Sequence, residues 1–141
     1  MIYRLTIGTG LLLLLTAVAH FLNINETLIG IKTGDIAPAY ASEAFGMWVF
    51  SGTGMALIGL WLLFLAGDLK RRLPKAWWQV LLISFSLAGF SLVSWWQYPR
   101  SLHFLYFLLI ALMLLLPLLA GAHSYFKSGG TSPGDPVAPP K

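Results

Sequence analysis

The sequence predicts an all-α, polytopic membrane protein: a four-transmembrane-helix up-down bundle with both termini cytoplasmic. Three observations carry this prediction. Hydrophobic residues make up 57% of the chain and charged residues only 10%. An ordinary soluble domain is roughly a quarter charged, and a chain this short cannot hide so much apolar surface from water by itself. Apolar runs long enough to cross hydrocarbon recur along the chain, separated by polar turns. Finally, the hexapeptide Lys70-Arg71-Arg72-Leu73-Pro74-Lys75 stands between two of those runs. Its charges require water, and basic loops stay on the cytoplasmic side, so it orients every other segment.

The first span covers about residues 5–22, eighteen residues, or roughly 27 Å of helix, just enough to cross. Arg4 ahead of an apolar run closing on Ala17-Val18-Ala19 also has the form of a signal peptide, so cleavage near residue 19 competes with a retained helix. Thr6, Thr9, Thr16, His20 and Asn23, with Leu13 between them, share one helical face. Such a stripe should point into a bundle, its hydroxyls bonding back to the preceding turn. Residues 23–44 read as an outer connection lying across the mouth of the bundle. Asn25-Glu26-Thr27 fits a glycosylation acceptor, a pattern common by chance.

The second span covers about residues 45–66. Gly52, Ala56 and Gly59 recur at steps of four and three, the spacing that lets two helix backbones approach in lipid. Ser51-Gly52-Thr53-Gly54 lacks the lysine of a phosphate loop and lies at hydrocarbon depth. The third span, about 77–96, has paired tryptophans at both ends that read as an aromatic belt. Ser84, Ala88 and Ser91 give it a small face suited to the glycine face of the second span. A short turn then makes it a hairpin with the fourth span, about 102–122, where Pro117 should loosen one turn. Residues 127–141, rich in Gly, Ser and Pro, read as a flexible cytoplasmic tail, leaving 1–126 as the transmembrane domain. Arg4, Lys70, Arg71, Arg72, Lys75, Lys127 and Lys141 fall on one side of this arrangement and Lys32 and Arg100 on the other.

Composition also excludes functions. The sequence pI is 9.6, but the positive charge gathers at span ends and forms no stripe or tail. It reads as a topology signal with an attraction to anionic lipid, and nucleic acid is not an expected partner. With no cysteine, disulfides, thiolate metal sites and thiol catalysis are absent.

The topology brings His20 and His103 to the same outer depth, with Trp48, Trp95, Tyr106, Glu43 and Arg100 as candidate neighbours. The bland account is that such residues prefer the headgroup zone. Three functions compete. The leading expectation is a non-catalytic subunit or scaffold of a membrane complex, partnered by lipid and by other membrane subunits or itself. The second is a redox subunit in which His20 and His103 ligate a b-type haem or hydrogen-bond a quinone. The third is an enzyme acting on a lipid-like substrate, with a histidine as general base and Glu43 or Glu26 orienting it. No metal site is assigned. On the redox reading the imidazoles approach each other across a pocket roofed by the outer connection.

His20 closing the first span, Phe45-Gly46-Met47-Trp48-Val49-Phe50-Ser51-Gly52 opening the second, Gly89 in the third and a leucine-rich fourth span together carry a resemblance. Over residues 5–122 the chain resembles the small bacterial DoxX-like and allied four-helix membrane proteins. That resemblance implies a multi-pass protein of the bacterial inner membrane, and it allows a subunit role in a quinone-linked oxidoreductase. It supplies no catalytic residue.

Overall fold

The computed structural model describes residues 1–97 and 102–126, apart from the side chain of Pro38. The described chain is helical and contains no strand: α1 is Ile2–Thr33, α2 Pro38–Lys70, α3 Pro74–Gln97, α4 Leu102–Ala120 and α5 the short His123–Phe126. The first four are long and apolar enough to cross a membrane, so this is an integral membrane protein. The expected tail at 127–141 lies outside the described residues, as does Arg100.

The expected outer connection at 23–44 is corrected: nearly all of it is helix. α1 meets no breaker before Gly34, and Thr27 Oγ1 bonds back to the Asn23 carbonyl at 3.2 Å as the helix passes through the polar stretch. Gly34 then takes a left-handed φ of 84°, with its N–H on the Ile31 carbonyl. This is the turn for which glycine has no steric cost. Ile36 folds back over Gly30, where an added Cβ would come within 3.0 Å of it. Pro38 opens α2 at the position where a missing N–H costs nothing.

The chain divides into two compact units, one holding α1 with α2 as far as Gly67, the other running from Asp68 through α3, α4 and α5. Within the first, α1 and α2 are antiparallel. A Cβ added to Gly59 would lie 2.8 Å from the Gly10 carbonyl, and one added to Gly10 would lie 2.8 Å from the Gly59 carbonyl. Farther along, a Cβ at Gly52 would meet the Phe21 ring at 3.2 Å. The glycine face expected on the second span therefore exists, but its partner is α1 through Gly10, a residue that the spacing rule did not pick out. Ala56, between the two glycines, is half-buried.

Within the second unit α3 and α4 pack antiparallel, Trp77 reaching Leu118 and Phe90 meeting Phe104. Ser84, Ala88 and Ser91 are buried as expected of a small face, and Ser84 and Ser91 satisfy their hydroxyls on the Val80 and Leu87 carbonyls. α4 runs through Pro117 and ends one turn later, where the Leu118 carbonyl receives the Trp77 indole N–H at 3.0 Å. The last carbonyls of a helix lack intrahelical donors, and here the neighbouring helix supplies one. Trp77 is therefore 5% exposed while Trp78 is 57% exposed, so only the second of the pair has the surroundings of a belt residue.

The turn after α2 closes with the Arg72 N–H on the Leu69 carbonyl and the Leu73 N–H on the Asp68 carbonyl. This is a Schellman closure, usually made with glycine. Arg72 occupies the left-handed position at φ 57°, at a cost of about 1 kcal/mol.

Candidate functional site

His20 sits on the buried face of α1 with Thr6, Thr9 and Leu13, as the threonine stripe predicts. Its ring is 5% exposed, and Nδ1 lies 2.9 Å from the Thr16 carbonyl oxygen. A carbonyl only accepts, so the proton is on Nδ1, and in the neutral ring Nε2 is the acceptor. Trp48 of α2 meets the imidazole edge to face at 5.1 Å, its indole half-buried. Gly52, one turn further along α2, leaves room beside His20: a Cβ there would lie 3.4 Å from the His20 Cβ. Glu43, earlier on α2, is exposed.

Three turns toward the N-terminus from His20, Thr9 is fully buried, and its hydroxyl has no hydrogen-bond partner among the described residues. Thr16, by contrast, bonds back to the Leu12 carbonyl at 2.9 Å. In this stripe, therefore, the Thr16 hydroxyl is satisfied, that of Thr9 is orphaned and the His20 imidazole is oriented. An orphaned buried hydroxyl costs more than a bonded one gains.

His103 has different surroundings. It lies in the first turn of α4, is exposed, and meets Phe107 at 4.9 Å and Phe104 at 5.9 Å, both edge to face. Tyr106 is half-buried and lies against Phe107 at 5.3 Å. Trp95, near the end of α3, is exposed. His20 and Trp48 belong to the first unit and His103, Tyr106 and Trp95 to the second, while Arg100 falls outside the described residues. The segment expected to roof a pocket is continuous helix interrupted only by Gly34–Ala37. Among the described residues no group of three or more His, Cys, Asp or Glu gathers closely enough to hold a metal ion.

A second constellation stands at the basic turn and was not anticipated. Tyr125 of α5 is buried and donates its O–H to the Leu69 carbonyl at 3.2 Å, the same oxygen that accepts the Arg72 N–H. Burial pushes the phenol above its usual range, and the charge of Arg72 opposes that rise. Phe126 packs edge to face on Trp77 and Trp78. Nothing in the sequence near 123–126 distinguishes these rings from interfacial ones.

The outward faces of the helices also differ. α1 turns mainly aliphatic residues outward, Leu11, Leu15, Val18 and Leu22, with Phe21 its one exposed aromatic, 40% exposed. α2 turns out Met47, Phe50, Leu57, Trp61 and Phe64, with Phe50 83% and Phe64 81% exposed. Gly54 lies in the middle of that row with nothing within 4 Å of where its Cβ would be. Comparison of the chain with known protein families, characterised proteins and solved structures finds no match.

Proposed function

We propose that this protein is a non-catalytic subunit or scaffold of a membrane complex, resident in the bacterial inner membrane, and that α2 carries its docking face. The observation behind this reading is the outward row of α2. Met47, Phe50, Gly54, Leu57, Trp61 and Phe64 follow steps of three and four, so they form one seam along the helix. Lipid gains nothing from a glycine, whereas a partner helix can approach closely at Gly54 and place a side chain between the rings of Phe50 and Trp61. Aliphatic residues suffice for contact with acyl chains, as on α1.

Gly54→Leu tests the docking face because it fills the gap at a position where an added Cβ meets nothing within 4 Å. The expected result is loss of the assembled form in detergent or native nanodiscs with an unchanged melting temperature. Gly59→Ala should do the reverse, lowering the melting temperature by forcing α1 and α2 apart. A wild-type chain that purifies only as a monomer, or a Gly54→Leu chain that assembles fully, would sink the reading.

One observation favours a second function, redox-group binding at His20. A buried imidazole whose Nδ1–H is held by a backbone carbonyl has the arrangement of a haem or metal-ligating histidine. On this reading the chain purified from haem-replete cells shows a Soret band that His20→Ala abolishes. A colourless wild-type protein would end it for haem.

A further inference from the structure

A loop of lysines and arginines orients a membrane protein whatever its conformation, yet the turn after α2 is held from several directions. Arg72 is kept at φ 57°, where glycine is the unstrained choice. Its N–H and the Tyr125 hydroxyl both bond the Leu69 carbonyl, and the Leu73 N–H bonds the Asp68 carbonyl. Backbone strain of this kind persists only where the surroundings over-determine it, and it is commonly kept for a function. Glycine at position 72 would relieve the strain and remove a guanidinium.

The charge beside the turn is arranged to match. The Asp68 carboxylate faces Lys75 Nζ at 3.6 Å, which leaves that acid committed to the lysine. Arg71 and Arg72 stand side by side on the turn, both exposed. Trp78, early in α3, and Phe126, the neighbour of Tyr125, form an aromatic surface, with ring centroids 6.1 Å apart and both rings open to the outside. Tryptophan at the end of a membrane-crossing helix settles at headgroup depth, so this surface and the two guanidinium groups occupy the layer that holds lipid phosphates.

We propose that the turn is a headgroup site for anionic phospholipid. Arg71 and Arg72 take the phosphodiester, while Trp78 and Phe126 lie along the glycerol and first acyl carbons. Guanidinium suits this task because its planar fork donates two parallel hydrogen bonds to phosphate oxygens. The aromatic surface makes the ligand a lipid rather than free phosphate, which would have no use for it. The tie from Tyr125 to Leu69 keeps the two arginines in one arrangement, so the ordering cost is met before binding.

Native mass spectrometry of the full chain, from micelles containing equal phosphatidylglycerol and phosphatidylcholine, tests this. The wild type should retain the anionic lipid in preference by roughly tenfold, the scale of one charge-assisted contact. Arg71→Gln and Arg72→Gln should each bring retention close to parity. Tyr125→Phe keeps every charge and should still weaken retention several-fold, because the tie to Leu69 is lost. Lys75→Gln, which also frees the Asp68 carboxylate, should reduce it much less than either arginine variant. Arg72→Gly is the decisive variant, expected to melt at a higher temperature than wild type while losing the lipid preference. Lys75→Gln acting as strongly as Arg72→Gln, or full retention by Tyr125→Phe, would reduce the turn to diffuse charge and overturn the proposal. Displacement of the lipid by millimolar inorganic phosphate would assign the arginines to free phosphate and overturn it equally.

Discussion

Trp77 and Trp78 are neighbours of one type in opposite surroundings, because successive helical residues point about 100° apart. The Trp77 indole lies inside and satisfies the Leu118 carbonyl near the end of α4. Trp77→Phe keeps most of the ring but orphans that carbonyl, so it should cost about 1–2 kcal/mol. The same change at Trp78 should stay within about 0.5 kcal/mol, as for other exposed sites. Parallel thermal melts of the two variants in one detergent check this, and equal losses would mean that the indole N–H contributes nothing. Sequence places both tryptophans at a span end and cannot separate them, since the partner is a backbone atom far along the chain. His20 was more legible: the threonine stripe puts it on an inward face. His103 shares a face with Tyr106 and Ile110, spacing that predicts an inward ring, yet at the first turn of α4 it is exposed while Ile110 is buried.

At the scale of elements, apolar length locates the four spans but hides where helices end. The start of the fourth helix at Leu102 is readable from the turn before it, whereas the second helix begins at Pro38, seven residues ahead of the expected span. The long reach of α1 is not readable, because Asn23, Asn25 and Glu26 look like a loop while none of them breaks a helix. The Gly52–Gly59 face shows the same limit in another form. Spacing identifies a surface that admits a close neighbour, but not which neighbour, and the answer lay in Gly10 of the preceding helix. Reciprocal approach of two glycines to each other's carbonyls leaves no slack: any side chain at either position must move a backbone. An alanine there should therefore cost on the order of 1–3 kcal/mol by overpacking, whereas at Gly54 or Gly89, where nothing lies within 4 Å, it costs the helices nothing in packing.

At the scale of the whole molecule, helix length and charge bear on how the chain meets the membrane. α1 has 32 residues and α2 33, each about 48 Å or more of helix, against a hydrocarbon core of about 30 Å. Tilt alone would have to exceed about 50° to absorb that length, beyond the usual range. The Gly34 end of the pair therefore extends into the headgroup layer, where Asn25, Glu26, Lys32 and Asp35 find water. The 19 residues of α4 match the core without excess. Four crossings would return the chain to its starting side, and the excess of Lys and Arg at the basic turn predicts that this side is the cytoplasm. The chain has no cysteine, so single cysteines report sidedness without background. Asp35→Cys should react in intact cells with a membrane-impermeant maleimide, and Ser124→Cys on α5 only after the membrane is opened. Labelling of Ser124→Cys in intact cells would invert the orientation, and labelling of both would break the four-crossing topology. Substituting glutamine for Arg71, Arg72 and Lys75 together should produce a mixed population with both cysteines partly labelled, because the remaining bias from Arg4, Lys70 and the residues after α5 is weaker than the intact turn.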